Sequence, residues 1–325
     1  MDSKITILGL CLLLFSFTRC RTSTKNSDTI NPPLITTVGN HQASLGEGAL
    51  WDANFQRFIW IDILGKKVHL YQPTTQQSMT FDTPSDIGTV VPTTNPDLLL
   101  VALADGLYTL NLESAEVEPW LDLEKDLTIN RFNDGKCDPQ GRFWVGSMNY
   151  EQNQASGNLY MVNGDKSFEK KLDNITISNG IVWNEELGKM YYIDTPTLNL
   201  REFDYSPDGS ISNEKVLKTF TASEGYPDGM TIDNNGNLWV GMWNGNKVLC
   251  INGQDGSVLD SISMPAHNVT ACAFGGQDLD TLYITTASID MSDEEKALYP
   301  KAGSLFKTTI PGVTGRKSSS FKLQK

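Results

Sequence analysis

Short apolar runs separated by turn residues recur along the chain from about residue 36 onward, and no long stretch has the 3.6-residue period of a helix. Two of the runs, at residues 138–146 and 233–241, share the pattern D-x-x-G-x-[FL]-W-V-G. With four weaker versions, the repeated strands are centred on Ile59, Leu99, Trp144, Tyr191, Trp239 and Tyr283. Their centres follow at steps of 40 to 48 residues, which indicates one unit repeated six times.

A second strand follows each of these six. These strands lie at residues 68–71, 107–110, 159–162, 200–203, 248–251 and 305–308. Several strands in a unit of about 40–50 residues are typical of a β-propeller blade. We therefore predict an all-β fold, a six-bladed β-propeller over residues 36–315, with a β-sandwich or solenoid as the structural alternative. Residues 316–325 lie outside the count and are expected to form a loose C-terminal tail.

The N-terminus has the features of an export signal. A mostly apolar run over residues 5–17 is too short to span a bilayer as a helix but suits the core of a secretory signal. Cys20 lies where a bacterial lipoprotein would be cleaved and lipidated, although Arg19 replaces the small residue expected before it. We expect a signal peptide over residues 1–20, which is either an ordinary secretory signal or a lipoprotein signal. A flexible linker is expected over residues 21–35. The product would be periplasmic, secreted or lipid-anchored in the cell envelope.

The charge and hydropathy of the chain limit the kinds of partner that we expect it to bind. The chain has 325 residues and a formal net charge of −13, and its predicted folded part has no cluster of Lys and Arg. Nucleic-acid binding needs such clusters, so we expect no nucleic-acid partner. No second apolar stretch approaches membrane length, so a lipid on Cys20 is the one membrane contact expected. The sequence leaves the oligomeric state open.

Four of the predicted blades begin with a shared polar pattern, in which glycine follows an acid or an amide. The four polar residues are Glu47, Asp134, Asn179 and Asp228. Because rotation about one axis relates the blades, equivalent positions on the innermost strands should meet at one mouth of the central channel. The alternative is that these residues only form Asx-type turns. Their recurrence in register across four blades favours a shared site.

Carboxylates that are crowded together repel one another, so this ring predicts a counter-charge. Two carboxylates and an amide carbonyl are hard oxygen ligands, which suit Ca²⁺, Mg²⁺ or Mn²⁺ and do not exclude Zn²⁺. The sequence has no G-x-S-x-G, H-E-x-x-H, P-loop or G-x-G-x-x-G motif. We therefore predict one divalent metal ion at one mouth of the channel, with Ca²⁺ as the preferred ion.

Several stretches of the predicted propeller carry a family resemblance. They are residues 45–52 (LGEGALWD), 130–136 (NRFNDGK), 177–180 (ISNG), 227–230 (PDGM) and 302–307 (AGSLFK). Over nearly the whole chain after the linker, the sequence resembles the family of regucalcin (senescence marker protein), gluconolactonases and luciferin-regenerating enzyme. The fold of that family is a six-bladed propeller, which agrees with the repeat count.

The resemblance also implies roles for individual residues. The family's metal ligands match Glu47, Asn179 and Asp228, and its substrate-contacting positions match Arg131, Asn133 and Glu151. The resemblance favours Asn133 over its neighbour Asp134, which we therefore interpret as a turn residue. Around Glu151 the sequence lacks the acidic run common in the animal members, so substrate specificity at this position stays open.

These features predict a hydrolase acting on carboxylic ester bonds, a gluconolactonase-like enzyme that opens a sugar-acid lactone with metal-activated water. The resemblance makes Asp228 the catalytic base that takes a proton from this water. Arg131 and Asn133 are expected to bind the small-molecule lactone through its hydroxyls or ring oxygen. Two alternatives remain: a non-enzymatic Ca-binding or sugar-binding propeller, and a metal-dependent aryl-ester or organophosphate hydrolase that uses the same site.

Overall fold

The protein is described by a computed structural model over residues 34–324. Six antiparallel sheets of four strands account for its architecture. The innermost strands of neighbouring sheets contact one another in a closed ring, so the fold is a six-bladed β-propeller, as the sequence predicted. Each of the six predicted strand centres lies in the second strand of a blade.

In the first five blades the strands follow one another in chain order from the channel outward, and in the sixth blade β1 is the outermost strand. The first three blades comprise β2 (Gly46–Asp52), β3 (Arg57–Asp62), β4 (Lys67–Gln72) and β5 (Gln77–Asp82); β6 (Ile87–Pro92), β7 (Leu98–Leu103), β8 (Leu107–Asn111) and β9 (Val117–Leu121); and β10 (Asn130–Cys137), β11 (Phe143–Asn149), β12 (Gly157–Val162) and β13 (Phe168–Ile175). The last three comprise β14 (Ser178–Asn184), β15 (Lys189–Asp194), β16 (Asn199–Tyr205) and β17 (Ile211–Thr219); β18 (Tyr226–Ile232), β19 (Leu238–Trp243), β20 (Lys247–Ile251) and β21 (Val258–Ser263); and β22 (Asn268–Gly275), β23 (Thr281–Ala287), β24 (Ser304–Thr309) and β1 (Thr36–Gln42).

The ring closes through the first strand of the propeller. Strand β1 pairs antiparallel with β24, placing Thr36 opposite Lys307 and Thr37 opposite Phe306. The sixth blade therefore combines a strand from the N-terminal side of the propeller with three strands from its C-terminal side. Because this sheet holds both ends of the ring, the blades cannot separate without breaking its hydrogen bonds.

The D-x-x-G-x-[FL]-W-V-G repeat joins the inner strand of a blade to its second strand. Asp138 accepts a hydrogen bond from the indole nitrogen of Trp144 at 2.9 Å, and Asp233 accepts one from Trp239 at 3.0 Å. The other oxygen of each aspartate accepts backbone N–H groups of the turn, such as that of Arg142 after Asp138. These buried aspartates stabilise the tight turn, which explains why the motif recurs.

Two predicted segments lie wholly or mostly outside the described residues: the signal peptide over residues 1–20 and the linker over 21–35. Within residues 34–324 the only α-helix is α1 (Asp293–Leu298), alongside two single-turn 3₁₀ helices, Glu185–Leu187 and Thr195–Thr197. None of the helices in this part of the chain is long and apolar enough to cross a membrane.

The prediction of a loose C-terminal tail is wrong for the described residues, because residues 316–324 pack against the propeller. Arg316 donates to the carboxylate of Glu186 at 3.0 Å, and the backbone N–H of Phe321 donates to the carbonyl of Pro92 at 2.8 Å. The Phe321 side chain is fully buried in an apolar cluster between the second and third blades. The burial of Phe321 and these hydrogen bonds therefore hold a segment that lies outside the six repeated units.

Phe321→Ala should lower the free energy of unfolding by about 3 kcal/mol, because truncating a buried phenylalanine leaves a cavity. Phe168→Ala is the matched control, since the side chain of Phe168 is 50% exposed on β13 and should change stability by less than about 0.5 kcal/mol. Denaturant unfolding of the two variants checks this. Equal free energies of unfolding for the two variants would mean that Phe321 does not stabilise the propeller.

Candidate active site

A β-bulge interrupts every inner strand where it pairs with the second strand of its blade. The register shifts between Glu47 and Leu50, Ile87 and Thr89, Phe132 and Gly135, Asn179 and Ile181, Pro227 and Met230, and Val269 and Cys272. A bulge bends its strand and re-aims a side chain. Because the six blades are arranged around one axis, side chains carried by equivalent bulges converge at one mouth of the channel.

The glycines at these bulges serve two different purposes. A Cβ on Gly180 would lie 2.7 Å from the carbonyl oxygen of Asp228, and one on Gly229 would lie 2.5 Å from the Cβ of Ala271. These two glycines therefore allow neighbouring inner strands to approach closely. Gly48 has a φ of +64°, so the turn itself favours glycine in the first blade.

The bulges border a cavity with a volume of about 280 Å³. Its polar lining consists of Glu47, Arg131, Asn133, Gln152, Asn179, Thr195, Asp228 and Asn244. Its apolar lining consists of Leu45, Ile63, Met148, Ile177, Pro196, Tyr226 and Trp243. A concave site of this kind, with polar groups converging among apolar walls, suits a small molecule. All three predicted metal ligands lie here, together with two of the three predicted substrate contacts.

Glu47 and Asp228 are buried carboxyl groups whose charges are costly. Burial raises the pKa of Glu47 well above its usual value, and repulsion from Asp228 and Asp134 raises it further. Burial likewise raises the pKa of Asp228, and the charge of Asp134 adds to the shift. The protonated form of each group is therefore favoured more than it would be in water, and a cation beside them would oppose this shift.

Three buried oxygen atoms in this ring have no hydrogen-bond partner among the described residues: Oδ1 of Asn179, Oδ1 of Asp228 and Oδ2 of Asp134. Atoms buried in this way cost free energy. Within residues 34–324 no group of three or more His, Cys, Asp or Glu side chains is placed to hold a metal ion. A cation would therefore need the amide oxygen of Asn179 as well as the carboxylates. This donor set, hard oxygens left unpartnered, fits a divalent cation such as Ca²⁺.

Arg131 and Asn133 form a connected polar pair in the cavity wall. Arg131 donates from Nη1 to Oδ1 of Asn133 at 2.8 Å, and Asn133 donates from Nδ2 to the carbonyl of Ser178 at 2.8 Å. Burial lowers the pKa of Arg131 from its usual value. Among the described residues, Nε and Nη2 of Arg131 have no hydrogen-bond partner, so they remain as donors for a ligand.

Asn133 and Asp134 lie together in the bulge of β10, but only Asn133 lines the cavity. Asp134 accepts the backbone N–H of Gly135 through Oδ1 at 2.8 Å, in keeping with a role in the turn. Its negative charge also acts on Glu47 and Asp228, as their raised pKa values show. Asp134 therefore contributes to the electrostatics of the site without contacting the cavity.

Glu151 is the predicted substrate contact that the structure does not bring to the cavity. It lies in the turn after β11 and its side chain is exposed. Its neighbour Gln152 lines the cavity instead, as does Met148 near the end of β11. The resemblance aligned a position in this loop, but the conformation of the turn decides which side chain faces inward.

Four cavity residues that the sequence reasoning missed share one structural position. Ile63, Met148, Thr195 and Trp243 lie at or next to the end of the second strand of their blades. The repeat could have revealed them, because in an antiparallel pair the end of the second strand lies beside the start of the inner strand. Their side chains share no residue type, so no motif marks them.

Comparisons with known proteins identify the family of this chain. The family model for the SMP-30/gluconolactonase/LRE-like region matches residues 45–288. A protein of Bacillus subtilis is 41% identical over 271 residues, which cover 83% of this chain and 92% of that protein; its name, sugar lactone lactonase YvrE, is a provisional assignment. Regucalcin of Xenopus laevis is 33% identical over 293 residues, which cover 88% of this chain and 98% of the relative.

Among solved structures, a luciferin-regenerating enzyme matches with a TM-score of 0.85 at 32% identity, covering 90% of this chain and 100% of that one. The family model covers far more than half of the chain, and both relatives align along most of their length. The chain belongs to the SMP-30/gluconolactonase/LRE-like family.

Proposed function

We propose that this protein is a metal-dependent lactonase that hydrolyses lactones of sugar acids. The observation that carries the proposal is a pair of buried carboxyls, Glu47 and Asp228, beside the unpartnered amide oxygen of Asn179 in a cavity of small-molecule size. Membership of the family and the lactonase name of the Bacillus subtilis relative support the class of reaction.

Glu47, Asn179 and Asp228 would hold one divalent cation. Ca²⁺ is the preferred ion because all the side-chain donors are oxygens, with Mg²⁺, Mn²⁺ or Zn²⁺ as alternatives. When bound, such a cation supplies Lewis-acid polarisation of a carbonyl and lowers the pKa of a bound water. The protein contributes the placement of the three side chains, and it leaves Oδ1 of Asn179 and Oδ1 of Asp228 without a competing hydrogen bond among the described residues.

Asp228 would accept the proton of the attacking water. Its carboxyl is 4% exposed and its Oδ1 has no hydrogen-bond partner among the described residues. Burial raises the pKa of this carboxyl, which would offset part of the lowering caused by a bound cation and so keep the carboxylate basic. Glu47 is also buried and its Oε2 accepts the backbone N–H of Gly48 at 3.3 Å, so the choice of Asp228 over Glu47 as the base rests on the family resemblance.

Arg131 and Asn133 would bind the substrate. The guanidinium of Arg131 can donate to the hydroxyls or the ring oxygen of a sugar lactone, and its bond to Asn133 holds both groups in place. The apolar lining residues, including Tyr226 and Trp243, would contact the C–H faces of the ring. A lining that combines polar and apolar side chains suits a compact polyhydroxylated ring.

A panel of aldonolactones, aryl esters and organophosphate esters tests the function. We expect turnover of aldonolactones, its loss on treatment with a chelator, and its return when Ca²⁺ is added. Turnover of aryl or phosphate esters alone would assign the site to a different hydrolase. Binding of metal or sugar without turnover of any substrate would make the protein a non-enzymatic propeller.

Glu47→Gln should weaken metal binding much more than it weakens the fold, because it removes one of two carboxylate charges while the closed ring of blades remains. Metal at about 100 times its Kd should stabilise the wild type by about 2.7 kcal/mol and the variant by much less. Thermal melts with and without metal measure this. Glu118→Gln, which changes an exposed glutamate on β9, is the control. Equal gains in both variants would remove Glu47 from the metal site.

Asp228→Asn should lower kcat by about 10²–10⁴-fold at saturating metal, because an amide cannot accept the proton. Asp134→Asn removes the same charge from the ring without changing a cavity side chain, so its loss of kcat should be far smaller. Arg131→Ala should mainly raise KM, because it removes a substrate contact made in the ground state and the transition state alike. Steady-state kinetics on gluconolactone measure all three. Near-wild-type kcat in Asp228→Asn would assign the base to another group.

A further inference from the structure

The hydroxyl of Thr195 lies between the two strands that carry Asn179 and Asp228. Thr195 begins the 3₁₀ turn after β15, and its side chain is buried. Its Oγ1 lies 3.0 Å from Nδ2 of Asn179 in the fourth blade. The same oxygen lies 2.8 Å from the carbonyl oxygen of Pro227, the residue before Asp228 in the fifth blade.

The chemistry of these three groups leaves one arrangement of hydrogens. A carbonyl oxygen can only accept, so the single hydroxyl hydrogen of Thr195 must be donated to Pro227. The hydroxyl oxygen can then only accept from Asn179, which must present its NH₂ group. The amide orientation of asparagine, often ambiguous by itself, is therefore determined here by its neighbours.

The consequence for Asn179 is that its Oδ1 faces away from Thr195. This atom is buried and has no hydrogen-bond partner among the described residues, and Asn179 lines the cavity. Without the hydroxyl, one of the contacts that hold the amide in this orientation is lost, so rotation by half a turn becomes less costly. The NH₂ group would then take the place of the carbonyl oxygen, and a hydrogen-bond donor cannot ligate a cation.

We infer that Thr195 is a positioning residue that locks the amide of Asn179 so that its carbonyl oxygen is presented to the divalent cation. The inference rests on the proposed metal site and adds to it the residue that orients one ligand. By bonding to Pro227 as well, Thr195 also ties the strand of Asn179 to the strand of Asp228. Thr195 itself contacts neither the metal nor the reacting atoms.

Calcium titration of the metal-free protein by calorimetry tests this role without measuring activity. Thr195→Val keeps the shape of the side chain and removes the hydroxyl, and we expect it to raise the Kd for Ca²⁺ about 10–100-fold, the usual effect of losing a partner that orients a ligand. Thr195→Ser restores the hydroxyl and should stay within about threefold of the wild type. Thr93→Val is the control, because it removes a buried hydroxyl that bonds backbone carbonyls beyond the end of β6.

Asn179→Asp separates orientation from simple structural support. A carboxylate offers an oxygen whichever way it is turned. Metal binding by the Asn179→Asp variant should therefore not depend on the hydroxyl of Thr195. We therefore expect Thr195→Val to change the Kd by less than about threefold in the Asn179→Asp background, against about tenfold or more in the wild-type background. Circular dichroism and thermal melts of each variant verify that it is folded.

The outcomes separate this inference from the proposed function. Wild-type protein that fails to bind Ca²⁺, Mg²⁺, Mn²⁺ or Zn²⁺ would overturn the metal site and this role with it. Metal binding by the wild type with an unchanged Kd in Thr195→Val would overturn the positioning role alone. Equal losses in both backgrounds would show that Thr195 only supports the strands, which also contradicts the inference. Loss in the wild-type background alone supports it.

Discussion

Six inner strands bulge where they approach the propeller axis, and the site depends on this constraint. The bulge turns Glu47, Asn179 and Asp228, far apart in the chain, toward one cavity. The inner strands also approach one another so closely that a Cβ at Gly180 or Gly229 would clash with the neighbouring strand. The same packing that builds the core of the channel therefore concentrates negative charge and unpartnered oxygen at its mouth.

Burying these carboxyl groups together costs free energy, which the packing of the rest of the propeller has to offset. The raised pKa values of Glu47 and Asp228 reflect this cost, which a bound cation would reverse. Closure of the sixth blade by β1 and anchoring of the C-terminal segment by Phe321 keep the strands in place against it. The architecture and the chemistry are thus linked: a rigid ring can hold polar groups at positions that they would otherwise avoid.

The blades and the main site residues could be predicted from the sequence because both follow a repeat. The repeated strands and their spacing identify each blade, and polar residues in register at the blade starts give four candidates: Glu47, Asp134, Asn179 and Asp228. The family resemblance selects Glu47, Asn179 and Asp228 from these four as the metal ligands. The repeat does not predict the parts of the structure that depart from it. Strand β1 and Phe321 act through contacts distant in sequence, and neither resembles the repeated unit. Thr195 lies in an irregular turn, and the loop after β11 turns Glu151 to solvent while Gln152 faces the cavity.

The central claim is that the bulges build a cation site from Glu47, Asn179 and Asp228. Anomalous diffraction from crystals grown with Mn²⁺ or Ca²⁺ tests it most directly, because it locates the metal independently of any assay. The account predicts one strong anomalous peak in the cavity, bound by carboxylate oxygens of Glu47 and Asp228 and by Oδ1 of Asn179, at about 2.0–2.6 Å. A cavity without a peak at saturating metal, or a peak that lacks any of the three ligands, would contradict it.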